Sequence, residues 1–92
     1  MAMRLLFKVE DAFYISERGV AIVPAIPKDL DFRVRANDEL ELRTPDGRVF
    51  QTHIASIELA KPIDGSPCHA VIMLPPDIAK QDVPTGTEVW FL

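Results

Sequence analysis

Apolar residues in this chain fall in short runs that alternate with polar ones, and nearly every run is closed by Gly, Pro, Asp or Asn. Alternation with period two marks half-buried strands, and turn formers at the borders mark their ends. The pattern predicts strands near residues 5–15, 19–26, 32–35, 39–44, 48–59, 68–74 and 87–92. Prolines at 24, 27, 45, 62, 67, 75, 76 and 84 leave few windows for an uninterrupted helix. One short helical turn fits at 77–81. Several short strands with frequent turns in a chain of this size predict an all-β antiparallel barrel or sandwich.

The stretch Phe7–Pro24 is the hairpin around which the chain is arranged. Its two β-rich arms fold back at Ser16-Glu17-Arg18-Gly19, where Gly supplies the positive φ that tight loops need. Thr44-Pro45-Asp46-Gly47 is the sharpest turn signal. Pro presets φ at the second position, Asp bonds neighbouring backbone and Gly takes the left-handed position. Its flanks, 39–43 and 48–52, are expected to pair antiparallel with Leu40 and Leu42 inward.

The run 48–59 breaks its own alternation, because Ile54 and Ile57 both read as buried yet differ by three. A β-bulge near Ala55-Ser56 restores the register; burial on both faces is the other reading, rarer in so thin a domain. The continuous apolar run 68–74, closed by Pro75-Pro76, fits a central strand. The apolar end Val89-Trp90-Phe91-Leu92 is expected to be a paired strand, since a free one would expose Trp90 and Phe91.

Ninety-two residues make one small domain, 1–92, with room for a single core. At 48% hydrophobic and 26% charged residues the composition is that of a folded globular chain rather than a disordered one. Net charge is −4, falling from −1 over residues 1–48 to −3 over 49–92. Duplex-DNA binding relies on clustered cations, and Arg33/Arg35 and Arg43/Arg48 are the only groupings, so a duplex-DNA partner is not expected. The single cysteine, Cys68, permits no internal disulfide and fits a reducing compartment. No segment approaches the roughly twenty apolar residues of a membrane span. The expectation is a cytoplasmic protein without a membrane partner.

Catalytic and metal chemistry find little support. Cys68 and His69 are strand neighbours facing opposite ways, and with His53 they lack any metal-ligand spacing. Cys68 reads as a small buried hydrophobe and the histidines as surface residues. The carboxylates at Glu10-Asp11, Asp29/Asp31 and Asp38-Glu39 sit at turns and lack calcium-loop spacing. No catalytic residue, metal or cofactor is expected, and the chain is not expected to be an enzyme. Arg33 and Arg35 share a strand face that reads as solvated.

Four motifs in order resemble the second domain of translation elongation factor Tu and related translational GTPases. Val9-Glu10-Asp11-Ala12-Phe13-Tyr14-Ile15-Ser16-Glu17-Arg18-Gly19 is similar to that family's I-E-D-V-F-x-I-x-G-R-G hairpin. Asn37-Asp38-Glu39-Leu40-Glu41-Leu42 resembles G-D-E-V-E-I, and Ile57–Asp64 resembles V-E-M-F-x-K-P-L-D with one residue missing. Asp82-Val83-Pro84-Thr85-Gly86 resembles the closing D-V-x-x-G. The resemblance implies a small closed antiparallel β-barrel of six to seven strands, and a ligand site at Arg18, Glu58 and Leu59. In elongation factor Tu the matching Arg and Glu sit near the terminal nucleotide of aminoacylated transfer RNA. The chain departs from the family at Glu17 and Pro24, where the family has Gly, at Ala60 in place of an aromatic ring, and at Pro75-Pro76.

Within these 92 residues no G-x-x-x-x-G-K-[ST] phosphate loop occurs, so GTP binding has no basis. The expected function is a non-catalytic binding module for a protein partner or an RNA end, with net acidity favouring protein. The alternative is an assembly protein that forms homo-oligomers through barrel edges.

Overall fold

A computed structural model describes residues 3–60, 63, 65 and 69–92. It contains eight strands: β1 (Arg4–Lys8), β2 (Asp11–Ile15), β3 (Gly19–Val23), β4 (Glu39–Arg43), β5 (Val49–His53), β6 (Ser56–Ala60), β7 (His69–Leu74) and β8 (Glu88–Phe91). They form two antiparallel four-stranded sheets, ordered β1-β8-β4-β5 and β2-β3-β7-β6. A single 3-10 turn, Lys80–Asp82, replaces the helical turn expected at 77–81. Proline explains the shift: Pro75-Pro76 are followed by a tight turn in which the Ile78 amide donates to the Pro75 carbonyl at 3.0 Å.

The strand count exceeds six to seven because both long runs divide. In the first, the Val9 amide donates to the carbonyl of Thr87, just before β8 of the first sheet, and the next amide, Glu10, donates to Val23 in the second, each at 2.8 Å. In the second, the Ile54 amide bonds Asp38 and the Ala55 amide bonds Met73, both at 2.9 Å. Each run therefore turns a corner from one sheet into the other, as strands do where two sheets meet at an angle. The broken alternation around Ile54 and Ile57 is thus a change of sheet, rather than an extra residue within one ladder. Ile54 is fully buried at the corner and Ile57 packs partly buried against the core.

Residues 32–35 form no strand. They keep the expected alternation, with Phe32 and Val34 packed against the core and Arg33 and Arg35 exposed, but no neighbouring strand takes up their backbone groups. Burial periodicity needs only a surface to lie on, whereas a strand needs a ladder partner.

The inner faces of the two sheets make one core. Val20, Ile22, Ile72 and Leu74 of the second sheet face Leu40, Leu42 and Val89 of the first, all with no measurable exposure. Each such side chain contributes about 1.5–3 kcal/mol relative to exposure. Other sequence expectations hold. The β4–β5 hairpin turns at Thr44–Gly47, where the Gly47 amide donates to the Thr44 carbonyl at 3.0 Å and Gly47 has φ of 93°. β7 is a central strand ending at Leu74, before the prolines, and the apolar C-terminal stretch is β8, paired on both sides.

Candidate binding face

β2 and β3 pair in simple register, from Asp11 opposite Val23 to Ile15 opposite Gly19. The loop between them closes with the Arg18 amide donating to the Ile15 carbonyl at 3.0 Å. Glu17 in the loop and Gly19, the first residue of β3, have positive φ, 66° and 119°. Gly19 is required twice over: its φ disfavours side chains, and a Cβ there would collide with the Leu74 carbonyl of β7. Glu17 holds the left-handed conformation without being Gly, at the position where the resembling hairpin has one.

This loop aims Arg18 across the outer face of the second sheet. Its guanidinium pairs with the carboxylate of Glu58 on β6, the strand beyond β7. Ser56 Oγ also donates to Glu58 Oε2, at 3.2 Å. The Arg18 hydrogen bond holds the Glu58 carboxyl below its ordinary range; partial desolvation opposes this, and Arg18's charge and Ser56 add to it. Both partners stay open to solvent, which is how such a pair can exchange its internal contact for an external one.

Across the same face lies a row set by register: Phe13 opposite Ala21, Ala21 opposite Met73, Met73 opposite Ser56. Directly opposed residues share a face, so Met73 lies on the side away from the core, yet it is only 1% exposed. The Arg18–Glu58 pair spans the strands on either side of it. Phe13 at 49% exposure, with the exposed Ile15, borders the row on β2. One step along, Val71 opposes Glu58. There the surface dips into an open groove of about 670 Å³ lined by Val23, Pro24, Ile26, Pro27, Lys28 and Val71, with Ala25 and His69. The Val23–Pro24 bond is cis, and the Ile26 amide donates to the Ala70 carbonyl at 2.8 Å, which carries the chain along β7 past the proline.

Sequence reasoning thus named two residues that meet, Arg18 and Glu58, and one that does not. Leu59 lies on the other face of β6 with Ile57 and is 75% exposed. Alternation along a strand separates neighbours. The groove had no sequence signal, because its walls come from segments some 45 residues apart.

The remaining candidates disperse. His53 is exposed on β5 and His69 lies on β7, in different sheets; Cys68 is outside the described residues. Asp11 accepts from the Ala12 amide, Asp38 from the Arg35 amide, and Asp31 pairs with Arg4. No cluster of three potential metal ligands occurs among the described residues. No helix of the structure is long and apolar enough to cross a membrane among the residues described.

The outer face of the first sheet carries a cluster that sequence reading missed. The Arg43 guanidinium lies 4.7 Å from the Trp90 ring centroid and bonds Glu41 at 2.6 Å, and Trp90 Nε1 donates to Glu88 Oε1 at 2.9 Å. The signal existed only in the β4–β8 pairing, which sets Glu41 opposite Trp90 and Arg43 opposite Glu88.

Comparison with protein-family models, with curated proteins and with solved structures finds no match.

Proposed function

We infer that the chain is a non-catalytic binding module that holds a protein partner on the outer face of its second sheet, around Arg18 and Glu58. The observation that carries this reading is the company these two residues keep. An open ion pair, able to trade Glu58 for an outside carboxylate or phosphate, borders exposed Phe13 and Ile15 on a face whose centre is the apolar pair Ala21 and Met73. Surface apolar residues grouped beside a charge-bearing anchor are the usual composition of an interaction site.

The barrel architecture of elongation factor Tu's second domain fits the same picture. Taking 5–15 and 48–59 as continuous strands, the backbone bonds at both corners support a ring of six: the first run, β8, β4, the second run, β7 and β3. The positive φ at Glu17, where that family has Gly, is a further point of agreement. Such a ring would leave no free edge, and on this reading binding through a face is favoured over homo-oligomer assembly through edges. The net charge of −4 favours a protein partner over an RNA end.

The experiment is selection of binders from a phage-displayed library of random peptides, followed by affinity measurement against Arg18→Ala and Phe13→Ser. Selected peptides are expected to lose about tenfold or more in affinity on either change, the scale at which interface anchors act. Peptides indifferent to both would refute the site. Transfer RNA titrated at low salt, binding tightly and in an Arg18-dependent way, would move the assignment to an RNA end.

A further inference from the structure

We propose that the groove between the Pro24–Pro27 segment and β7 takes an extended peptide of another protein, bearing apolar side chains followed by a carboxylate that pairs with Lys28. This rests on the binding-module reading and extends it to a subsite that Arg18 and Glu58 do not form. The size, about 670 Å³, lies in the range of built ligand sites. The walls are Val23, Pro24, Ile26, Pro27 and Val71, so an occupant gains chiefly by burying apolar surface. The groove is open along its length rather than enclosed. An open apolar trough suits a peptide lying on a surface; a lipid tail needs a cavity that shields it on all sides.

Charge fixes the rest of the occupant's chemistry. Among the described residues no acidic side chain lines this groove, and Lys28 is its one charged lining residue. The nearest carboxylates by register are already engaged: Asp11, opposite Val23, accepts from the Ala12 amide, and Glu58, opposite Val71, holds Arg18 and Ser56. The His69 imidazole lines the same end of β7 and can donate as well. A partner carboxylate therefore meets donors at Lys28 and His69, while a basic partner meets no acid among the described lining residues.

The probe is a set of fluorescein-labelled heptapeptides, identical except that two central apolar residues are followed by aspartate, serine or lysine. Anisotropy gives affinities and amide chemical shifts locate the site. The expected order is aspartate over serine over lysine, with shifts at Val23, Ile26, His69 and Val71. Lys28→Glu, at an exposed position where folding is not at risk, is expected to weaken the aspartate peptide about fivefold and to reverse the order. Val71→Thr, nearly isosteric, is expected to weaken all three alike. Equal binding of the three peptides, or an unchanged order in Lys28→Glu, would overturn the proposal. So would dodecanoate displacing every peptide. Shifts confined to Gly19, Ala21 and Met73 would sink the groove and leave the Arg18–Glu58 reading standing; no shifts on this sheet at all would sink both.

Discussion

The two sheets turn very different outer faces to solvent. That of the first sheet is centred on contacts the chain makes with itself: Arg43 stacks on Trp90 and bonds Glu41, and Trp90 bonds Glu88, with Leu5 and Val49 exposed on either side. That of the second is apolar at its centre, crossed by one open ion pair, bordered by exposed Phe13 and Ile15, and grooved at one end. Both faces belong to strands of similar length over one shared core, so stability alone does not require the contrast. On the binding-module reading proposed above, the second face is the one that a partner completes.

The largest effect that tests this contrast is expected at Gly19, which sets the geometry of the second face. Gly19→Ala must leave the positive-φ region or push against the Leu74 carbonyl, and is expected to cost about 3 kcal/mol, the upper end for backbone strain. Urea unfolding measures it; a loss below about 1 kcal/mol would show that the hairpin relaxes freely. Next is Met73→Ala. Buried on the outer side of β7, opposite Ala21 and Ser56, it is expected to cost about 2 kcal/mol, the low end for a buried Met. It should also leave Arg18 and Glu58 less well ordered.

A smaller and opposite change is expected at Glu17. Replacing it by Gly removes a left-handed conformation that costs an ordinary residue about 1–2 kcal/mol, less the extra chain entropy Gly brings to the unfolded state. The net expectation is a gain of about 0.5–1 kcal/mol, read as a higher urea midpoint at unchanged slope. A loss would mean that the Glu17 side chain contributes through contacts of its own.

The smallest effect is the pH dependence of the Arg18–Glu58 pair. The folded-state carboxyl of Glu58 lies below its ordinary value of 4.5. Its contribution is therefore present above that value and lost as pH falls through the depressed folded value. Asp46, held below its ordinary 3.8 first by Thr44 and then by Arg48, behaves in the same sense at the β4–β5 turn. Glu58→Gln is expected to make stability fall less steeply below pH 4.5 and to leave the Asp46 part of the slope. An unaltered slope would mean that the pair forms too rarely to matter.

Features set by neighbours in sequence were legible beforehand. The Thr44–Gly47 turn, the alternation of Leu40 and Leu42, and the stop after Leu74 each follow from a few adjacent residues. The division of 5–15 and 48–59 was not, because changing sheets at Val9-Glu10 and Ile54-Ala55 depends on which distant carbonyls accept each amide. The 32–35 segment shows the converse: correct burial alternation without a ladder. At the site, Arg18 and Glu58 became visible through ordered motifs rather than spacing, and Leu59 dropped away by strand alternation. The groove and the Arg43–Trp90 stack stayed hidden, since each joins segments whose proximity only the pairing of sheets creates.

The proposal that the second sheet's outer face binds and the first sheet's does not has a direct reporter, because the Trp90 indole N–H gives its own resonance on the first sheet. The measurement is a 15N–1H titration with the tightest peptide selected against the wild-type protein. The expected result is shifts at Arg18, Gly19, Ala21 and Val71 with the Trp90 indole unmoved. Movement of the Trp90 indole together with Glu41 and Arg43, while the second sheet stays still, would contradict it.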